Sequence, residues 1–60
     1  MNKNQWYMSV FVPYVVANIT EQPLTRDWLG WLRVCLDDFV RETGRLPITA
    51  EELALYIDWL

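Results

Sequence analysis

The chain has no histidine and a single cysteine, Cys35. One cysteine cannot close an intrachain disulfide. One cysteine without histidine cannot build an ordinary structural zinc site. The usual His-based catalytic and metal constellations are therefore excluded, and no metal or cofactor is expected. Cys35 as a nucleophile would need an activating cation or base and exposure. It falls among apolar neighbours, so an inert thiol is expected. Cations are also few, five against eight acids, for a net charge of −3. A phosphate-neutralising surface, which dominates affinity for nucleic acids, is disfavoured by that balance. No apolar run reaches the ~18 residues of a membrane-spanning helix.

What is present is apolar surface. Sixty residues make one small domain, 1–60, yet 53% of them are apolar and four are Trp. A chain of this size buries only about 60% of its unfolded surface. Such chains usually need a disulfide, a metal or a second copy to be stable. With the first two absent, a homo-oligomer, most simply a dimer, or burial against a larger protein is expected.

The charges divide the chain. Residues 1–24 carry only Lys3 and Glu21. Residues 25–60 carry Arg26, Arg33, Arg41 and Arg45 against Asp27, Asp37, Asp38, Glu42, Glu51, Glu52 and Asp58. An apolar arm, 5–19, thus precedes an acidic helical body, 25–60. In the arm, Val10, Val12, Val15, Val16 and Ile19 are β-branched and Trp6, Tyr7, Phe11 and Tyr14 aromatic, a mix that favours a strand. Pro13 also disfavours a helix interior. The expectation is an extended arm that pairs as a strand in a dimer; the alternative is two short helical pieces with Pro13 at the start of the second. A signal peptide is a poor match to this segment, because its n-region has one Lys and its apolar run contains Pro13. A cytoplasmic protein is expected.

The body reads as a mainly α, hairpin-like pair of helices, about 26–43 and 50–60. Thr25 suits an N-cap and Asp27 the first turn. At ~100° per residue, Trp28, Leu29, Trp31, Leu32, Cys35, Leu36, Phe39 and Val40 share one half of the cylinder. Asp37 and Arg41 are spaced to pair along it. Gly30 costs about 1 kcal/mol in an exposed helix interior; ordinary tolerance is the expected reading, and close approach by another backbone the alternative. Gly44 sits where a left-handed C-terminal cap belongs. Thr49-Ala50-Glu51-Glu52 is a capping box that starts the second helix, after Pro47. There Ala50, Leu53, Tyr56, Ile57 and Leu60 face inward, while Leu55 and Trp59 share the outer side with acids.

Paired acids (Asp37 and Asp38, Glu51 and Glu52) are adjacent in sequence and point ~100° apart on a helix, so neither pair converges into a catalytic site. No enzyme is expected. The stretch 39–54, with Glu42-Thr43-Gly44-Arg45, Pro47, the Thr49 cap and Glu51-Glu52-Leu53-Ala54, resembles the first two helices of the helix-turn-helix in sigma-factor region three and SOS-repressor-type domains. The resemblance implies a positioning helix; a recognition helix would follow it, and no base-reading residue carries over to this chain.

The leading expectation is a small non-enzymatic interaction module, an inhibitor, adaptor or regulator of a larger protein, of the kind found among phage and mobile-element accessory proteins. Its contact residues are expected to be Trp6, Tyr7, Phe11, Tyr14, Leu55 and Trp59, because Trp and Tyr bury large areas at interfaces. One alternative is a degenerate helix-turn-helix regulator whose dimer assembles a groove from Arg33, Arg41 and Arg45. The other is a membrane-active small protein working through 5–19.

Overall fold

In the computed structural model, residues 1–18 and 25–57 are described. They form a helical run at the N-terminus, made of α1 (Lys3–Trp6), a π-helical turn (Tyr7–Phe11) and α2 (Val12–Asn18), then α3 (Arg26–Thr43) and α4 (Ala50–Ile57). No strand occurs among the described residues.

Residues 5–18 are therefore helical, not the extended strand expected, and the alternative with Pro13 opening a second helical piece is the observed one. Ile19 lies outside the described residues. Two local features make the helix possible. Asn2 and Gln5 form a capping box: Asn2 Oδ1 accepts from the Gln5 amide at 2.8 Å, and Gln5 Oε1 accepts from the Asn2 amide at 3.2 Å. This satisfies amides that would otherwise disfavour starting a helix. Pro13 has no N–H and its ring crowds the carbonyl one turn back. The helix meets this by widening just ahead of it, where the Val12 amide donates five residues back to the Tyr7 carbonyl. Such π turns are a recognised way to absorb a break in the ladder.

The wider turn has a packing consequence. Five residues apart in an ordinary α-helix point about 140° from each other. Here Trp6 and Phe11 stack, with ring centroids 5.9 Å apart, and Tyr7 and Tyr14 flank Phe11 at 5.8 and 6.3 Å. Trp6, Tyr7, Phe11 and Val15 then form one side of the core, against Leu32, Leu36 and Phe39 of α3 and Ala50 and Leu53 of α4.

α3 follows its sequence closely. The Thr25 hydroxyl accepts from the Trp28 amide at 3.1 Å, and Gly44 closes the helix at φ 74°. Leu32, Leu36 and Phe39 are buried, but Trp31, assigned to the same half by periodicity, is 51% exposed. Asp37 does not pair with Arg41. It holds Arg33 on its own helix and Lys3 at 2.7 Å, while Arg41 pairs with Asp38. α3 is the central element. Lys3 with Asp37, Asn4 with Arg33 and the Tyr7 hydroxyl with the Leu29 carbonyl step in opposite directions, so the N-terminal run lies antiparallel to α3. Glu52 with Arg45 and Tyr56 with Glu42 show the same for α4.

The α3–α4 junction is tied by charge. Arg45 grips the Glu52 carboxylate with two bonds, at 3.1 and 2.8 Å, and lies over the Phe39 ring, 5.4 Å from its centroid. The Glu52 amide bonds the Thr49 hydroxyl at 3.1 Å, as a capping box requires. The returning carboxylate takes the Ile48 amide instead, at 2.6 Å. Ala50, Leu53 and Ala54 are buried, Ile57 is half-buried, and Tyr56, expected inside, is exposed at the rim. There it meets Phe39 edge-on at 5.2 Å and donates to Glu42 at 2.9 Å. Leu60, expected on the inner face, lies outside the described residues.

Candidate interaction surfaces

Three of the expected contact residues, Trp6, Tyr7 and Phe11, are buried inside this chain. Tyr14 is half-buried against the same core. Their apolar area is covered by α3 and α4, so the structure turns the arm aromatics from contact candidates into core. A helix with a π turn gathers them on one face, whereas a strand would have sent them to both. Leu55 is placed as expected, 69% exposed on the outer side of α4. Trp59 lies outside the described residues.

Among the described residues, apart from Met1, Val16 and Tyr56, exposed large apolar side chains fall in three places. The first surrounds Glu52. Ile48, 79% exposed, donates its amide to that carboxylate, and Leu55 stands one helical turn beyond it. The second is the outer face of α3, with Trp31 and with Val34, 55% exposed. The third is an open groove of about 470 Å³ between the N-terminal run and the first half of α3. Tyr7, Met8, Val12, Leu29 and Gly30 give it apolar walls, and Arg26 and Arg33 bring cations to it. A Cβ built on Gly30 meets nothing within 4 Å. Among the described residues, nothing therefore demands glycine at this helical position.

The electrostatics describe a ligand-poor surface. Arg33, Arg41 and Arg45 each hold an acid of the same chain, Asp37, Asp38 and Glu52. Hydrogen bonds from Lys3 and Arg33 hold the Asp37 carboxyl below its ordinary range. Arg45 and the Ile48 amide pull Glu52 down to about 2. Both are partnered carboxylates, the opposite of a general acid kept protonated. Burial, with Asp38 nearby, pushes the half-buried Cys35 thiol up, away from a reactive thiolate. Burial likewise raises the Tyr7 hydroxyl, and the Glu42 hydrogen bond raises that of Tyr56. Among the described residues, no group of three or more potential ligands could hold a metal ion. Among the same residues, no helix is long and apolar enough to cross a membrane.

Val34 and Ile48 were not on the list of expected contacts. Val34 was legible: at ~100° per residue it falls between Gly30 and Asp27 on the polar side of α3. Ile48 had no comparable signal, because it lies in the connection ahead of α4, where no periodicity applies. Comparison with protein-family models, with curated proteins and with solved structures finds no match.

Proposed function

We propose that this chain is a small non-enzymatic protein-interaction module, an inhibitor, adaptor or regulator that acts by docking on a larger protein. The observation that carries this reading is the exposure of Ile48 and Leu55 on a chain whose core is already filled by nine other residues. Large aliphatic side chains left in water on a short helix and on the connection leading into it mark a contact face more often than a catalytic one. Glu51, exposed beside Leu55, gives that face an acidic edge, which favours a partner with a cation beside an apolar pocket.

The nucleic-acid alternative is weakened by a specific observation. Each of the three arginines it needs already pairs with an acid of this chain, which lowers the net positive charge a phosphate would meet. The membrane alternative needs the aromatics of 5–18 at the surface, and three of them are in the core.

The test is affinity capture from the native cell with wild type and Leu55→Glu side by side, identified by mass spectrometry. The reading expects a stoichiometric protein partner held by wild type and lost by the variant, with helical circular dichroism unchanged. A partner retained equally by both would remove α4 from the interface. Capture that weakens steeply with salt and co-purifies nucleic acid would favour the regulator alternative.

A further inference from the structure

The outer face of α3 carries a pattern that the docking surface on α4 does not use. Asp27, Val34 and Arg41 are seven residues apart, and seven steps of ~100° return to within about 20° of the same line along a helix. Gly30 and Trp31 stand one turn before Val34. All five residues are exposed. The stripe therefore has Val34 at its centre, Asp27 at its start, Arg41 at its end, Gly30 with open space over it, and Asp37 and Asp38 one turn after Val34, both held in ion pairs within the chain.

We propose that this stripe is a self-recognition face, on which a second copy of the chain docks its own α3 antiparallel about a two-fold axis at Val34. The contact between copies deepens the interaction-module reading, adding a partner to it. The charge pattern picks the occupant and the direction. In an antiparallel pair with its axis at Val34, residues equally far before and after Val34 face each other. Asp27 of one copy then meets Arg41 of the other, twice by symmetry. A parallel pair would set Asp27 on Asp27 and Arg41 on Arg41, a like-charge arrangement that is disfavoured. Val34 packs on Val34, and each Trp31 covers the valine pair from its flank. Gly30, with no Cβ, lets the two helices approach closely.

The intrachain contacts leave room for this. Asp27 takes part in no ion pair among the described residues. Arg41 pairs with Asp38, but its side chain is 75% exposed in that pair, and exposed pairs one turn apart on a helix hold weakly. A guanidinium has five donors and can serve Asp38 and Asp27 of the partner copy together. The face is short, about 21 Å from Asp27 to Arg41, so the contact belongs with small, reversible interfaces.

Sedimentation equilibrium on the purified chain, from about 10 μM to about 1 mM, tests the face directly; those concentrations bracket weak association. Wild type should pass from monomer to dimer within that range and stop there, because a two-fold contact closes. Val34→Glu and, independently, Trp31→Ser should remain monomeric with unchanged helical circular dichroism. Asp27→Arg and Arg41→Asp should each weaken dimerisation about tenfold, and the double charge swap should restore it to within about threefold of wild type. The swap is decisive, because a change in α3 stability from either substitution would persist in the double variant, whereas a restored ion pair would not leave a defect. Wild type that stays monomeric at 1 mM, association beyond a dimer, or a double variant as weak as the singles would overturn the proposal. Leu55→Glu should dimerise as wild type does, so loss of the α4 partner and loss of the α3 dimer are read separately.

Discussion

The N-terminal run and α3 are both helices of similar length, and they are helical for different reasons. α3 carries its own instructions: a Thr25 cap, a 3.6-residue apolar period and a glycine at φ 74° to end it. The N-terminal run has a capped start but then β-branched residues, a proline and a π turn. Its helix is held because Trp6, Tyr7, Phe11 and Val15 are covered by α3 and α4. The two also differ in what they leave outside. The run hides its aromatics, while α3 leaves Trp31 and Val34 in water. Intrinsic propensity is a weak prior that packing overrides, and the contrast shows where: a segment with a poor local case needs the deepest burial.

The sharpest way to break this contrast is to remove the burial. Phe11→Ala should cost about 3–5 kcal/mol, a large share of the stability of so small a domain. The chain should lose cooperative urea unfolding at 25 °C, with the N-terminal run melting along with the rest. A variant that kept its full helical signal would show that the run is locally stable after all. Trp31→Ser, on the exposed side of α3, should by contrast change the unfolding free energy read from urea curves by no more than about 0.5 kcal/mol.

Pro13→Ala addresses the local half of the contrast. Restoring an amide and removing the ring from a helical position should stabilise the chain, by about 1–3 kcal/mol. Amide exchange at residues 8–12 should slow with it. An unchanged or lowered stability would mean that the π turn is required by the packing of Trp6 on Phe11, not imposed by the proline.

The two glycines of α3 separate opposite effects. Gly30→Ala adds a Cβ that meets nothing and should stabilise the monomer by up to about 1 kcal/mol. Gly44→Ala forces a left-handed residue to carry a Cβ and should cost about 1–2 kcal/mol. Equal effects from the two would contradict the geometry at the α3 terminus.

The smallest effect is electrostatic. Glu52 has its folded value lowered to about 2 from an ordinary 4.5, and Asp37 is lowered in the same direction. A depressed carboxylate stabilises the fold above its unfolded value, and that contribution is lost as pH falls from about 4.5 through about 2. The urea midpoint should therefore decline over that window. Both groups are only half-buried and reach solvent, so the decline should be shallow and further reduced by salt. Glu52→Gln should flatten part of it; a midpoint in the variant that falls as steeply as in wild type would place the acid sensitivity elsewhere.

Reading from sequence succeeded where the signal was local. The bounds of α3, its Thr25 and Gly44 caps and the Thr49–Glu52 start of α4 were all visible as short-range chemistry. Leu55 was placed outside because its neighbours at helical spacing are acids. The arm failed for a physical reason. β-branched and aromatic residues describe side chains that fit a half-buried surface of either kind, and Pro13 was weighed as a breaker when one π turn accommodates it. The capping box at Asn2 and Gln5 was legible and would have tipped the choice toward helix.

The candidate surfaces were less legible, because exposure is a property of the assembled chain. Trp6 and Trp31 are the same residue type, Trp6 follows the more polar stretch, and packing nonetheless puts it inside and Trp31 out.

By itself, the sequence determined that this is a mainly helical chain without the side chains for a zinc site, a disulfide or a His-based active site. Caps, period and composition act over a few residues, and they need no knowledge of the rest. The tertiary structure decided that the arm is a helix, that three of its four aromatics are core, and that apolar side chains emerge at Ile48, Leu55, Trp31 and Val34 as well as at Met8 and Val16 of the arm. A short chain has too little interior for all its apolar residues, and which of them stay in water depends on how three helical runs divide one core.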